Sequence, residues 1–303
     1  MTKAIRSEKE TKIPLMRNEK IFYAVNGILL TAFLILTLYP LLSLISQAIS
    51  EPSAVYSGRV TFYPIGFSLR GFQINLTNPN ILLGFQNTIL YTVSGTTLTL
   101  CTTLLTGFAL SRRELLGRSA ISFLFAFTMW FSGGLIPFYL LIRDLGFYNT
   151  RWAIIIPGMV NVWYIIVCRT NISSTISEEM FEAASIDGCG YGRFFTRVVV
   201  PLCKPVIAVI ILWTAIGHWN AYFNAMLYLT DKGLKPLQLF LRDYLVTASA
   251  MDMSSVDFST EDLGIQELVK NSLILLSVLP LWILYPFIQK YFVKGVMVGA
   301  VKG

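Results

Sequence analysis

The residues of this sequence whose types could do chemistry are densest in one short stretch, 177–205, which reads SEEMFEAASIDGCGYGRFFTRVVVPLCKP. Ser177 is a favourable helix N-cap, and the two glutamates after it fall in the first turn, where the helix dipole favours anions. Asp187 and Gly188 end that helix, because glycine readily adopts the left-handed conformation of a C-terminal cap. A second short helix follows and ends at Pro201, which lacks a backbone N–H. We therefore predict two short helices that meet at a bend.

The chemistry open to such an element is binding rather than bond breaking. We expect it to expose Met180, Phe181, Phe194 and Phe195 among charged residues. Apolar side chains on a short helix can fill a groove in another protein. A helix of this kind can instead rest on lipid headgroups, and the residues alone leave both interpretations open.

A second set of polar and aromatic residues lies within otherwise apolar windows. Its members are Asn87, Asn161, Tyr164, His218, Trp219, Asn220, Tyr222 and Asn224. Polar groups deep in a membrane usually face the interior of the helix bundle or a cavity. Asn220 and Asn224 are four residues apart, so we expect them to share one face of a helix. This set could line a path for a solute, or it could form hydrogen bonds between helices.

The composition indicates the kind of structure that must position both sets. Of the 303 residues, 54% are hydrophobic and 14% are charged, and the mean hydropathy is +0.62. Soluble domains carry about 25% charged residues. The charges collect between long windows that contain none, as a bilayer requires, because a charge at mid-membrane is costly. The sequence therefore predicts an all-α, polytopic membrane protein.

Six windows are apolar enough to be transmembrane helices, since a spanning helix needs about 20 mostly apolar residues. They cover residues 21–49, 84–111, 119–142, 152–168, 206–229 and 271–289. The first exceeds the apolar core of a signal peptide, which is about 7–15 residues long, so we expect it to be retained. With the N-terminus inside, the inner segments hold twice as many Lys and Arg residues as the outer ones. This bias predicts that both termini are cytoplasmic.

These spans predict how the chain is divided. The expected parts are a cytoplasmic tail at 1–20, TM1 at 21–49, an extracellular segment at 50–83, a core with TM2–TM6 at 84–291, and a cytoplasmic tail at 292–303. Within the core, 173–205 is an inner loop and 230–270 is an extracellular segment. Leucines at near-helical spacing predict a short helix over 236–247, which serves either as a packing cover or as a docking surface.

Several classes of protein are disfavoured. Basic residues beside apolar windows account for the net charge of +7, so we expect no nucleic-acid partner. The four cysteines lack the spacing of a metal site, and the single histidine rules out a histidine-rich one. The windows contain no paired carboxylates or Ser/Lys dyad for an intramembrane enzyme. No G-x-x-x-x-G-K-[ST] loop occurs, so we expect this chain neither to hydrolyse ATP nor to hold a cofactor.

The spacing of residues in 182–201 resembles the EAA loop of ABC-importer permeases, which reads E-A-A, three residues, G, nine residues, I-x-L-P. Here Glu182-Ala183-Ala184 is followed after three residues by Gly188, and Val198-Val199-Val200-Pro201 begins nine residues later. Two valines replace the isoleucine and leucine of the motif, and Cys189 stands where alanine is usual. These departures are mild, so the chain is identified as a member of that family.

The resemblance extends over nearly the whole chain past residue 20. A loop between the fourth and fifth of six spans matches the maltose-type, carbohydrate-uptake permeases. The tail 289–303, QKYFVKGVMVGAVKG, is similar to the C-terminus of their second, MalG-like permease subunit. The blocks 131–137 and 217–220 look like the LplC/YtcP-type subgroup, which handles complex oligosaccharides.

The resemblance implies a type I ABC importer (MetI-like) permease fold in a bacterial cell membrane. In that family two permeases form the pore, two ATPases that use ATP and Mg²⁺ lie beneath, and an external lipoprotein delivers the sugar. The resemblance assigns ATPase contact to Met180, Phe181, Glu182, Ala183, Ala184, Asp187, Gly188 and Pro201. Glu182 would contact an ATPase arginine, and Met180 or Phe181 would fill the groove of the ATPase.

For an oligosaccharide, the polar residues within the windows become candidates for the transport path, because aromatic faces and amide or hydroxyl groups hold sugars. Two alternatives remain. One is an ABC permease for a non-sugar solute, which the EAA loop does not exclude. The other is a secondary transporter, which often carries an ionisable residue inside the membrane. Only His218 could serve in that role.

Overall fold

The computed structural model describes residues 16–251 and 260–300, with side chains described for 16–246 and 263–286. Every regular element in these ranges is helical. The α-helices are α1 (Arg17–Ala48), α2 (Pro52–Tyr56), α3 (Arg70–Thr77), α4 (Pro79–Ser111), α5 (Arg118–Trp130), α6 (Leu135–Asp144), α7 (Trp152–Ile155), α8 (Val162–Thr175), α9 (Glu178–Ile186), α10 (Tyr191–Phe194), α11 (Val200–Leu202), α12 (Lys204–Trp219), α13 (Phe223–Tyr228), α14 (Leu237–Met251) and α15 (Thr260–Ala300). A π-helical turn, Phe195–Val199, joins α10 to α11, and a 3₁₀ turn, Lys232–Leu234, precedes α14. The predicted all-α class is confirmed.

Three helices in the described ranges are long and apolar enough to cross a membrane: α1, α4 and the Leu263–Pro286 part of α15. Two further stretches qualify only as bent pairs. The axis turns by 115° between α5 and α6, and by 80° between residues 191–202 and α12. Length and composition thus give three to five candidate spans there. The 14 residues of α8 are too few to cross alone, and the count of six stays a prediction.

Three of the predicted windows are interrupted rather than continuous. The third is broken at Gly134, whose φ of +85° lies in a region that favours glycine. The fourth is broken where Pro157 and Gly158 follow each other between α7 and α8, since proline removes a helical hydrogen bond. The fifth is broken after Trp219, where three residues, 220–222, separate α12 from α13.

The central helix of the fold is α4, which packs along both α8 and α12. At its C-terminal end, buried side chains of α4, α8, α12 and the 177–203 stretch form one apolar core, which includes Phe108, Ile172, Phe194 and Ile210. We call this the inner end of the bundle. A second cluster around Tyr91 lies towards the N-terminal end of α4, which we call the outer end. Burial of the apolar faces of α4, α8 and α12 fixes how these three helices are oriented.

Short helices cover the outer end. α2 and α3 pack on α15, where the amide nitrogen of Asn75 donates to the Val269 carbonyl and to the Ser272 hydroxyl, both at 2.9 Å. The short helix predicted over 236–247 is present as α14, and it packs against α4 and α15. Its Leu237 and Leu239 are buried. This burial favours the packing cover over a free docking surface.

The first helix stands largely apart from the bundle. Residues 16–42 are exposed, and only the last turns of α1 are buried, at Ser46 and Ala48. There Gln47 accepts a hydrogen bond from the Asn271 side chain at 3.0 Å. The long apolar surface of α1 therefore has no cover in the described part of the chain and must face lipid or another protein.

Candidate functional site

The stretch 177–203, which we call the bent segment, has the geometry that its sequence predicts at the first helix. The Ser177 hydroxyl accepts from the Met180 N–H at 3.4 Å and caps α9. The helix ends at Ile186, and Gly188 follows with φ +73°. The N–H of Cys189 then donates at 2.9 Å to the carbonyl of Ala184, closing the C-terminal turn.

The second helix of the bent segment extends one residue past its predicted end. It begins at Tyr191, continues through the π-helical turn and ends at Leu202, followed by the 80° bend into α12. We predicted an end at Pro201, which instead lies in the first turn after the π-helical turn. Proline is tolerated at such a position, because its missing N–H is not needed there.

The expectation that Phe181 and Phe194 are exposed is wrong. Phe181 is 6% exposed and Phe194 is fully buried, with their ring centroids 5.0 Å apart in an edge-to-face contact. The guanidinium of Arg112, itself buried, lies 5.2 Å from the centroid of Phe181 and 5.6 Å from that of Phe108. Because its ring is buried against Phe194 and Arg112, Phe181 is not free to fill a partner's groove.

The opposite face of α9 is open. Five residues predicted to contact the ATPase are exposed on α9 or directly after it: Met180, Glu182, Ala183, Asp187 and Gly188. Pro201 is also exposed, and Ala184 is half-buried. Glu182 has no hydrogen bond or salt bridge to any described residue. At the tip of the helix, Ile186 is 87% exposed. This face presents a free carboxylate among small and apolar side chains, with Met180, at 42% exposure, as the available anchor.

A neighbouring loop, which the sequence did not single out, braces the bent segment. The Tyr191 hydroxyl donates to Glu114, and Arg113 Nε lies 3.3 Å from Glu178 Oε2. The hydrogen bond to Glu114 is the main cause of a raised pKa for Tyr191. Residues 112–117, between α4 and α5, therefore belong to the same site. Their charges were visible in the sequence, but no spacing rule links Arg113 to Glu178, 65 positions away, or Glu114 to Tyr191, 77 positions away.

Four of the candidates for the transport path have structural partners. The buried Asn87 side chain donates to the carbonyls of Gly233, at 2.8 Å, and Lys235, at 3.1 Å. The buried Trp219 indole donates to the carbonyl of Ser277 at 2.8 Å. Asn161 caps α8, and Tyr164 stacks on Trp213, with centroids 6.0 Å apart. These contacts favour the interpretation as hydrogen bonding and packing between elements.

His218 is packed against two glycines. A Cβ atom placed on Gly95 would lie 2.6 Å from Cε1 and from Nε2 of the imidazole, and one placed on Gly158 would lie 3.0 Å from Cε1. The backbones of α4 and of the link between α7 and α8 thus approach the ring closely. His218 is half-buried, and from α12 its ring packs against both α4 and the link between α7 and α8.

Asn220 and Asn224 do not share one helix. α12 ends at Trp219, so Asn220 follows that helix while Asn224 lies in α13, and the predicted shared helical face is wrong. The Asn220 side chain donates to the Ile216 carbonyl at 3.1 Å and accepts from Gln238 at 3.4 Å. Asn220, Tyr222 and Asn224 are all exposed. They are the members of the predicted set that remain open to a solute.

Known proteins match both the sequence and the fold. The family profile described as "Binding-protein-dependent transport system inner membrane component" matches residues 89–298. The polygalacturonan/rhamnogalacturonan transport system permease protein YtcP of Bacillus subtilis is 33% identical over 288 residues, which cover 95% of this chain and 100% of that one. Protein LplC of the same organism is also 33% identical, over 96% of this chain and 99% of its own.

A solved structure of a bacterial ABC transporter involved in the import of the acidic polysaccharide alginate contains a chain with the same fold. It superimposes with a TM-score of 0.84 and 35% sequence identity, covering 93% of this chain and 100% of that one. The matched region includes the bent segment and the helices that carry it. The chain belongs to the family of binding-protein-dependent transport system inner membrane components, and it is a multi-pass, non-catalytic permease subunit of an ABC importer.

Proposed function

We propose that this chain moves oligosaccharides inward through a pore shared with a second permease, and that the bent segment couples it to an ATPase. The observation that carries this proposal is the open face of α9, where Glu182 stands without a partner in the described ranges while the rest of the segment is packed firmly beneath it. Such an element transmits force as a rigid body, because its aromatic side chains are fixed in the core of the permease.

The need for a second permease is supported by surfaces that this chain leaves uncovered. α1 projects from the bundle, and α5 has no buried residue among the described side chains. A helix that is apolar all round is stable only in lipid or against another chain. The exposed Asn220, Tyr222 and Asn224 would then contribute hydrogen-bonding groups to the path between the two permeases.

The proposed orientation places both termini and the bent segment in the cytoplasm. It is supported by the contact between two predicted inner segments, 112–117 and 177–203, and by the excess of basic residues on that side. ATP and Mg²⁺ would be used by the separate ATPase, since this chain contains no phosphate-binding loop. An external binding protein would deliver the solute to the outer end.

Within the oligosaccharides, we favour those that contain uronic acids. Support comes from the names of the YtcP permease, for polygalacturonan and rhamnogalacturonan, and of the alginate importer. Uptake of labelled oligogalacturonides and maltodextrins by cells with and without this chain tests the choice. If cells without this chain lose only the uptake of oligogalacturonides, the preference for uronic acids is supported. If they lose only the uptake of maltodextrins, that preference is contradicted.

The coupling role is tested by Glu182→Lys. We expect the variant to reach the membrane at the normal level but to lose uptake driven by ATP, because a lysine would repel a basic residue of the ATPase. Asp144→Lys is the matched control, since Asp144 is also exposed but lies beyond α5, away from the bent segment. Normal uptake by Glu182→Lys would contradict the role of this face in coupling.

A further inference from the structure

A polar cavity of about 330 Å³ lies at the inner end of the bundle, where the chain leaves α4 and where α9 begins. Its lining residues come from two separate segments, 111–118 and 173–179. Three of them are arginines: Arg112, Arg113 and Arg118. We call it the arginine cavity, and its volume lies within the range of small-molecule sites. No residue predicted to contact the ATPase lines this cavity.

Arg112 is a buried cation whose charge is not matched within its own chain. It is 5% exposed, and its Nη1 is shielded from solvent without a hydrogen-bond partner in the described part of the chain. Its Nε makes a long contact, 3.4 Å, with the Ser111 hydroxyl. The rings of Phe108 and Phe181 attract the guanidinium but leave its N–H groups unsatisfied. A charge withdrawn from water is costly unless it is paired, so these contacts point to an anion from outside the chain.

The other charged residues of the arginine cavity leave it with a positive balance. Arg113 Nε lies 3.3 Å from Glu178 Oε2, and Arg118 Nε donates to the carbonyl of Leu110 at 2.9 Å. Each guanidinium has five N–H groups, so both retain donors beyond these contacts. Glu178 and Glu179 also line the cavity and oppose an anion, but the three arginines exceed the two carboxylates.

The position of the arginine cavity matches the level of phospholipid headgroups. α4 is a candidate membrane span, and Arg112 is the first residue after it. α5, which begins at Arg118, has no buried residue among the described side chains and forms a candidate span with α6. Between the two helices, Leu116 is 93% exposed. Basic pockets between transmembrane helices bind anionic headgroups on the cytoplasmic side, and the planar fork of a guanidinium fits a phosphate.

We propose that the arginine cavity binds a phosphate group, carried by an anionic phospholipid, with Arg112 as its buried ligand and Arg118 as a second one. The inference goes beyond the proposed function, because it requires neither an ATPase nor a sugar. It uses the proposed orientation only to place the lipid in the cytoplasmic leaflet. A phospholipid bound there ties the loop after α4 to the start of α9 and so fixes the bent segment relative to the membrane surface.

The experiment uses the whole chain, purified in a neutral detergent and washed free of native lipid. It is titrated separately with phosphatidylglycerol, with inorganic phosphate, and with diacylglycerol, which has the acyl chains but no phosphate. Binding is measured as a rise in melting temperature with ligand concentration. We expect phosphatidylglycerol to raise the melting temperature of the wild-type protein in a saturable way, and we expect diacylglycerol to have no such effect.

Two substitutions of the same kind test the assignment of the ligand. Arg112→Met keeps an unbranched side chain between the rings but removes the charge, and it should weaken phosphatidylglycerol binding by about thirtyfold or more, as expected for one partner of a buried charge pair. Arg193→Met is the matched control, since Arg193 is an exposed arginine of the bent segment that does not line the arginine cavity. It should bind phosphatidylglycerol as the wild-type protein does.

A purely structural role for Arg112 gives a different pattern. If Arg112 serves only to pack between Phe108 and Phe181, Arg112→Met melts at a lower temperature than wild type without any ligand, and phosphatidylglycerol raises both melting temperatures equally. If Arg112→Met does not fold, Arg118→Gln carries the test, because Arg118 is half-buried and lines the same cavity. It should weaken binding by about fivefold, the effect of one partly exposed charge.

The three probes also distinguish the source of the phosphate. Stabilisation by phosphatidylglycerol that depends on Arg112 supports a lipid site. Stabilisation by inorganic phosphate alone, with the same dependence on Arg112, supports the phosphate site and overturns the lipid as its source. The site itself is overturned if neither phosphate-bearing probe stabilises the wild-type protein, if phosphatidylglycerol and diacylglycerol act equally, or if Arg112→Met and Arg193→Met lose binding to the same extent.

Discussion

Replacing Gly95 with alanine tests the packing of α4 against His218. The added Cβ would lie 2.6 Å from Cε1 and Nε2 and 2.8 Å from Nδ1 of the imidazole. Atoms in good contact are about 3.5–4.0 Å apart, so the ring would have to retreat by roughly 1 Å. Gly158 also lies against this ring, and its carbonyl is held to α4 by the Thr99 hydroxyl at 3.0 Å. The ring therefore has little room to move.

We expect Gly95→Ala to lower the free energy of unfolding by about 1–2 kcal/mol. Overpacking a well-packed site typically costs about 1–3 kcal/mol, and three ring atoms in close contact place this site at the upper part of that range. The better helix propensity of alanine returns about 1 kcal/mol. Thermal unfolding of the purified protein in mild detergent should show a melting temperature lower by a few degrees.

Two further variants make this test decisive. Gly217→Ala adds a methyl group to α12 at a site with nothing within 4 Å, so it should not destabilise the protein. His218→Ala removes the ring, so the double variant with Gly95→Ala should be more stable than the two single effects predict. The expected coupling is about 1 kcal/mol, within the usual range for residues in contact. Strict additivity would refute the packing role of His218.

Three other changes probe the outer end and the bent segment. Asn149→Ala should cost about 0.5–1.5 kcal/mol, because its side-chain oxygen accepts from two backbone N–H groups after α13 at 2.9 and 3.0 Å; Asn149→Asp, which keeps the acceptor, should cost less by thermal unfolding. Gly264→Ala should make the 50–83 segment more accessible to protease, since the added Cβ would lie 2.2 Å from the backbone oxygen of Pro52. Gly27→Ala should not do so, because no atom lies within 4 Å of the Cβ that it adds. A hydrogen bond from the Ser177 hydroxyl is the main cause of a lowered pKa for Glu179. The Glu179 carboxylate therefore stabilises the fold above its unfolded pKa of about 4.5. This stabilisation is lost as the pH falls through the pKa of Glu179 in the folded protein. Ser177→Ala should shrink this loss in melting curves recorded from pH 6 to pH 3, and an unchanged acid limb would count against the hydrogen bond.

The first helix of the bent segment could be predicted from its sequence because its limits are set locally. Ser177 supplies a cap and Gly188 supplies a left-handed turn, and both act on backbone groups within four residues. The spacing of the EAA motif likewise lies along one stretch of chain. The same is true of α14, whose leucines repeat at helical spacing.

The burial of Phe181 could not be predicted in this way. It depends on Phe194 and on Arg112, which belong to other segments, and a local pattern does not show whether an apolar side chain faces its own core or a partner. The separation of Asn220 from Asn224 also depends on tertiary structure. No glycine or proline lies between them, so the sequence gives no sign that the helix breaks there.

We propose that this permease works with an ATPase that docks on the bent segment. Purification of the tagged chain in mild detergent, followed by mass spectrometry of the proteins that accompany it, tests that claim most directly. We expect a second permease and an ATPase with a phosphate-binding loop to co-purify, and we expect Glu182→Lys to lose the ATPase while it keeps the second permease. Recovery of the wild-type chain alone, or paired only with itself, would contradict this docking.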